Sequence, residues 1–216
     1  MTTAPVILLD KDGTLVENVP YNTDPALLRF TPGAAAAVRQ LHQDGYLIAV
    51  ISNQPGVALG RFPESALAAV EQRLREMLAE LGVPLAGFFY CPHHPEGTVE
   101  EYAQSCDCRK PASGLVTRAA ETLGVDPARC WVVGDILDDV EAGSRVGCTT
   151  ILLDNGGETE WRLTPWRIPD YLAHDLLEAA EIVAAVEEAS LIVRARREAS
   201  VASEPPLPDS TAPSEW

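Results

Sequence analysis

The chain has 216 residues, 32 acidic against 16 basic, a formal net charge of −16, and 46% hydrophobic content. That length supports one sizeable core rather than two full domains, and the charge opposes general attraction to a nucleic-acid backbone or an anionic membrane. The longest apolar runs fall far short of the roughly 20 residues of a membrane span, and the start MTTAPVILLD lacks the basic region and long apolar core of a signal peptide, so a cytoplasmic protein is expected.

Short β-branched runs alternate with helical patterns along the chain. A strand is expected at Val6–Leu9, ending in Asp10-Lys11-Asp12-Gly13-Thr14. A helix at Gly33–Asp44 follows, then a strand at Leu47–Ile51 that runs into Ser52-Asn53-Gln54. Helix Glu64–Leu81 carries apolar residues at 67, 70, 74, 77/78 and 81, the period of a helix packed on a sheet. Strand Phe88–Cys91, helix Ala112–Leu123 and strand Trp131–Val133 come next, the last ending in Gly134-Asp135. Helix Asp139–Val146, strand Thr149–Leu153 and helix His174–Glu188 complete the series. This rhythm predicts an α/β fold with a mainly parallel sheet and crossover helices, in one domain over residues 1–193. Polar clusters close three of the strands, and the strand C-termini of such sheets are where ligands bind. From residue 194 onward the chain turns to Ser, Pro, Ala and acid, with Pro205, Pro206, Pro208 and Pro213, and reads as a disordered tail. Arg194, Arg196 and Arg197, at its start, read as a solvated helix end.

Five cysteines are an odd number, and Cys91, Cys106 and Cys108 gather beside His93 and His94. In a reducing compartment this grouping indicates metal rather than disulfides. Cys91-x-His93 and Cys106-x-Cys108 supply three thiolates and one imidazole, a closed tetrahedral set for structural Zn²⁺. Zinc would order the polar loop Pro95–Ser105 and hold Arg109 over the strand ends. Cys130 and Cys148 flank apolar runs and read as small buried hydrophobes.

Two carboxylates two residues apart, where a strand enters a turn freed by Gly13, can divide nucleophilic and proton-transfer work between them. With the apolar strand before it and Gly-Thr after it, Asp10–Thr14 resembles the DxDGT signature of haloacid-dehalogenase (HAD) phosphatases. Ser52-Asn53 resembles the second motif of that family, whose hydroxyl and backbone N–H groups hold phosphoryl oxygens, and Lys110, in Arg109-Lys110-Pro111, resembles its third, a charge-offsetting cation. Asp135 and Asp139 match the GDxxxD form of the fourth. The resemblance implies a three-layer Rossmann-like HAD fold, with Mg²⁺ held by Asp10, the carbonyl of Asp12, and Asp135, while Asp139 orients the site. It also implies attack by Asp10 on phosphorus, with Asp12 as general acid and then base.

About 40 residues separate the first two motifs, too few for a large cap domain beside a helix, so an essentially capless enzyme is expected. CPHHP and CDCRKP, with NQPGVALGRF and FFYCPHHPEGTVEEY, resemble the heptose bisphosphate phosphatases over roughly residues 5 to 185. Their nearest relatives are the histidinol-phosphate phosphatases, and the resemblance favours His93 over His94 as zinc ligand. The substrate implied is a small phosphorylated sugar, with Arg109 and Arg61 as candidate cations for a second phosphate. The chain departs from the pattern at Ile136, where the heptose enzymes commonly carry a lysine. A non-catalytic binding protein is a different class of reading, and the intact Asp10, Asp12, Ser52, Lys110 and Asp135 oppose it. Transfer to an acceptor other than water is a third. No oligomeric state is legible, and a monomer is the default expectation.

Overall fold

The computed structural model describes residues 4–202, with side chains described through residue 197. Six parallel strands lie in the order β3-β2-β1-β4-β5-β6: β1 (Val6–Leu9), β2 (Leu47–Asn53), β3 (Leu85–Cys91), β4 (Cys130–Gly134), β5 (Thr149–Leu153) and β6 (Tyr171–Ala173). The central pairings set Val6 beside Leu47 on one side and beside Cys130 on the other, which brings Leu9 level with Val50 and Val133. The strand ends that carry Asp10, Ser52 and Asp135 are thereby drawn level.

The helices are α1 (Ala34–Gln43), α2 (Leu67–Ala79), α3 (Gly114–Leu123), α4 (Leu137–Ser144) and α5 (Leu176–Ala202). Side chains alternate across a strand, and here both sets are buried. Val6, Leu8, Ala49, Ile51 and Val132 join Leu115, Val116, Ala119 and Ala120 of α3 in one core. Their neighbours Ile7, Leu9, Ile48 and Val50 have no exposed surface and belong to the opposite face. Near-continuous burial of the strands is the mark of a parallel sheet covered on both faces. The expected stripe of α2 is buried at Leu67, Val70, Leu74, Met77 and Leu78.

Strand β6 and several boundaries differ from expectation; α2, for one, begins at Leu67 after a 3₁₀ turn at Glu64–Ala66 and ends at Ala79. Tyr171–Ala173 is only three residues long and follows a long connection, so it carries no periodic signal, and it pairs with β5. Strand β3 begins at Leu85, three residues early, because Gly87 interrupts the β-branched and aromatic run by which a strand is recognised. Helix α5 continues to Ala202, past residue 194, where apolar periodicity fades but Arg, Ala and Glu retain strong helix propensity. Residues 203–216 of the expected tail lie outside the described residues.

The described chain divides into two compact units, the first ending at Ile182 and the second beginning at Val183 within α5. In the first, the segment after β1 folds back as a small flap through bridges between Asp12 and Val16 and between Val16 and Phe30. Among the described residues, no helix is long and apolar enough to cross a membrane.

Candidate active site

Asp10 emerges from β1 with 8% of its surface exposed, and its Oδ1 accepts a hydrogen bond from Lys110 Nζ at 2.6 Å. Lys110 is 1% exposed; it also donates to the Ile51 carbonyl at 3.1 Å and pairs with Asp139 Oδ1 at 2.5 Å. Burial alone would lower the pKa of this ammonium, but the carboxylates of Asp10 and Asp139 outweigh it and raise the pKa above its ordinary value. The site therefore holds a permanent positive charge against the nucleophile candidate.

Lys110 sits on a loop, and Asn53 fixes it there. The Asn53 amide donates to the Lys110 carbonyl at 2.9 Å and accepts from the Lys110 N–H at 3.0 Å. Asn53, expected beside a phosphoryl group, has its side chain engaged in positioning the lysine. Ser52 is 1% exposed at the end of β2, and its Oγ accepts from Gln54 Nε2 at 2.8 Å. The same amide lies 3.4 Å from Asp12 Oδ2, while Asp12 Oδ1 pairs with Lys11 Nζ at 2.5 Å. Burial raises the pKa of Asp12 above the ordinary carboxylate value, against the pull of Lys11 and with help from Asp10. A raised pKa favours the protonated form, the form that can give a proton to a departing oxygen.

Asp135 lies between two glycines. A Cβ on Gly13, whose φ is +85°, would come within 2.1 Å of Asp135 Oδ2, and one on Gly157 within 2.2 Å of the same atom. Burial first, then the charge of Asp10, push the Asp135 carboxyl up to about 7. Ligand oxygens of Asp10, Asp135 and Asp139 lie within 4.8 Å of one another. Lys110 alone does not balance these carboxylates, and the charge of Asp10 adds to burial in raising the pKa of Asp135. An all-oxygen set with surplus negative charge fits a hard divalent cation. The side chain of Asp12 is directed to Lys11 and Gln54.

Cys91, His93, Cys106 and Cys108 form a second group of donors, also within 4.8 Å of one another. The Cys91, Cys106 and Cys108 sulfurs are 3.1 to 3.5 Å apart, and His93 Nδ1 is 3.3 Å from Cys108 Sγ. Bonds of about 2.3 Å to a tetrahedral ion would place sulfurs slightly farther apart than this, so the set needs only a small expansion. His94 stands apart: its Nδ1 accepts from the Glu96 N–H at 3.1 Å. The loop is also latched at its far side, where Tyr102 donates to Glu64 Oε2 at 2.8 Å and Tyr90 donates to Glu64 Oε1 at 3.0 Å. Arg109 is half-buried, and its Nη1 has no hydrogen-bond partner among the described residues. The Arg61 guanidinium stacks over Tyr21 of the flap, 5.5 Å from the ring centroid.

Several contributors carry no motif in the sequence. Asn155 donates to the Gly13 carbonyl at 2.9 Å, and Glu158 Oε2 accepts from the Leu137 N–H at 2.7 Å, capping α4 beside Asp135. Arg167 pairs with Asp138 and, at 3.3 Å, with Glu141. All three side chains come from the β5–β6 connection, whose polar composition reads as an ordinary loop. A cavity of about 520 Å³ opens beside Asp135, bordered by Gly13, Asn18, Thr31, Asn155 and His174.

Residues 107–179 match the HAD-hydrolase-like family model. The D-glycero-beta-D-manno-heptose-1,7-bisphosphate 7-phosphatase of Salmonella typhi is 37% identical over 154 residues, 71% of this chain and 82% of that protein. The Haemophilus ducreyi enzyme of the same name is 39% identical over 153 residues, covering 70% and 84%. Among solved structures, D,D-heptose 1,7-bisphosphate phosphatase from B. bronchiseptica, complexed with magnesium and phosphate, superposes with a TM-score of 0.69 at 28% identity, covering 84% of this chain and 98% of that one. A HAD-like phosphatase from Mesorhizobium loti gives 0.71 at 33%, covering 83% and 87%. With its six-stranded parallel sheet and its carboxylate–lysine site, the chain belongs to the HAD-type phosphatases, in the family that includes the heptose bisphosphate phosphatases.

Proposed function

We propose that this chain removes the 7-phosphate of D-glycero-D-manno-heptose 1,7-bisphosphate, as a Mg²⁺-dependent phosphomonoesterase that works through an aspartyl-phosphate on Asp10. The observation that carries the reading is the buried contact of Asp10 with Lys110, joined to the 37% identity over most of a curated enzyme of that activity. Asp10 Oδ1 is held by Lys110, which leaves Oδ2 to attack phosphorus in line. Ser52 Oγ, main-chain N–H groups after β2 and Lys110 hold the phosphoryl oxygens. Asp12 gives its proton to the departing sugar oxygen, then takes one from the water that hydrolyses the aspartyl-phosphate.

Asp10, the Asp12 carbonyl and Asp135 would hold Mg²⁺, a reading supported by the magnesium and phosphate of the B. bronchiseptica enzyme. When bound, the ion neutralises charge on the phosphoryl group. Zn²⁺ on Cys91, His93, Cys106 and Cys108 would fasten both ends of the loop that delivers Arg109 and Lys110. Arg109 and Arg61, neither in an ion pair among the described residues, are the cations available to a second phosphate.

Ile136, at the start of α4, favours a second reading. An apolar side chain where a cation would assist a dianion suits a less charged leaving group, such as histidinol or another small alcohol. Initial rates of phosphate release with Mg²⁺, measured on both heptose bisphosphate anomers, histidinol phosphate and common sugar phosphates, separate the two. A kcat/KM for one heptose anomer at least tenfold above the rest is expected. A preference for histidinol phosphate would replace the first reading with the second.

A further inference from the structure

Among the described residues, the stretch of α5 from Glu187 to Arg197 has no buried side chain. Each residue from Glu187 to Arg197 is exposed, including Leu191 at 60%, Ile192 at 49% and Val193 at 66%. Three helical turns with no buried face are marginal in water on propensity alone. Glu188 and Arg196 also lack charge partners along their own helix. The residues three and four positions from Glu188 are Ala184, Ala185, Leu191 and Ile192, and those around Arg196 are Ile192, Val193, Ala199 and Ser200. Neither charge therefore has an opposite charge at the spacing at which helix neighbours meet.

The missing partners are present in a second copy of the same helix. Glu188, Ile192 and Arg196 follow one another at intervals of four and so lie along one ridge of the helix. Ala189 and Ala195 lie beside that ridge, three residues on either side of Ile192. An antiparallel copy related by a two-fold axis at Ile192 sets Ile192 against Ile192, Glu188 against Arg196 and Arg196 against Glu188, with an alanine facing an alanine on each flank. The small alanine side chains allow the helices to approach closely. A parallel pairing sets Glu188 against Glu188 and Arg196 against Arg196, so the charges select the antiparallel one.

We propose that α5 is a self-association surface and that two copies of this chain pair antiparallel through Glu188, Ile192 and Arg196. A surface of about three turns per copy is smaller than a standard stable interface, so the association is reversible and depends on concentration. Such an isologous contact closes on itself and yields a dimer rather than a filament.

Sedimentation velocity of the full chain across a concentration series tests this, with phosphatase activity as the check that each variant is folded. Wild-type mass is expected to rise with concentration toward twice that of the chain. Ile192→Asp and Arg196→Glu should each weaken dimerisation at least tenfold, and Glu188→Arg/Arg196→Glu should restore it, because the exchanged charges again face their opposites. A wild-type chain that stays monomeric throughout overturns the proposal, as does a dimer indifferent to Ile192→Asp and Arg196→Glu, or a charge exchange that fails to rescue.

Discussion

Asp135 shows how much of the site's chemistry is set by what is missing around a side chain. Glycine at 13 and at 157 leaves room for its carboxylate, and a methyl group at either would overlap Oδ2. Gly157 lies outside the left-handed region, so the effect of Gly157→Ala comes from overlap, chiefly with Asp135 Oδ2 and also with the Asp135 carbonyl oxygen at 2.9 Å. That variant should keep the fold and lose activity by at least tenfold, with most of the activity recovered at high Mg²⁺. Equal loss at all Mg²⁺ concentrations would mean that Asp135 acts otherwise than through the ion.

The same carboxylate couples metal to pH. In the metal-free protein Asp135 is raised from 3.8 to about 7, so between those values the folded chain holds a proton that the unfolded chain has released. Stability from this group is full below about 4, falls by roughly 1.4 kcal/mol for each pH step of one across that window, and is gone above about 7. Mg²⁺ bound at Asp135 would remove that penalty by occupying the proton's place. The increase in Tm on adding Mg²⁺ should therefore grow from pH 5 to pH 8, and a constant or shrinking increment in differential scanning fluorimetry would contradict the assignment.

At the scale of elements, the loop from Pro92 to Lys110 has three anchors: the Cys/His cluster, the Glu64 carboxylate that receives Tyr90 and Tyr102, and the Asn53 amide on Lys110. Tyr102→Phe removes one hydrogen bond, worth about 1 kcal/mol net, and should accelerate loss of Zn²⁺ to a chelator severalfold while leaving Tm nearly unchanged. An unchanged release rate would show that the cluster holds the loop without the latch. Stripping the metal altogether should raise KM and lower kcat together, since the same loop carries Arg109 and Lys110.

These anchors separate what is legible in the sequence from what is not. The strands β1, β2 and β4 announce themselves as apolar runs, and Asp10, Asp12, Ser52 and Asp135 lie at or just past their ends, so folding needs only to bring those ends level, while Lys110 is legible from Arg109-Lys110-Pro111 beside the cysteine cluster. The Cys/His cluster is legible because its four donors come in close sequence pairs. Gln54, Glu64, Asn155 and Glu158 are not legible, because a polar residue in a loop shows its partner only once the loop has folded. Asn53 is legible as a site residue but its side-chain role is not: the clamp joins residues 57 apart in sequence.

For the whole molecule, a capless site with a net charge of −16 around it concentrates its cations in a few places: Lys11 and Lys110 are buried beside carboxylates, and Arg61 and Arg109 lie outside any ion pair among the described residues. Attraction of an anionic substrate is then local rather than long-range, and kcat/KM should depend only weakly on ionic strength.

The most direct test is to follow ³¹P NMR of heptose 1,7-bisphosphate with the wild-type chain and with Asp10→Asn, both with Mg²⁺. Loss of the 7-phosphate resonance with growth of inorganic phosphate, while the 1-phosphate persists and the Asp10→Asn sample stays unchanged, is the predicted result. Loss of the 1-phosphate first, or turnover that survives Asp10→Asn, would contradict the account.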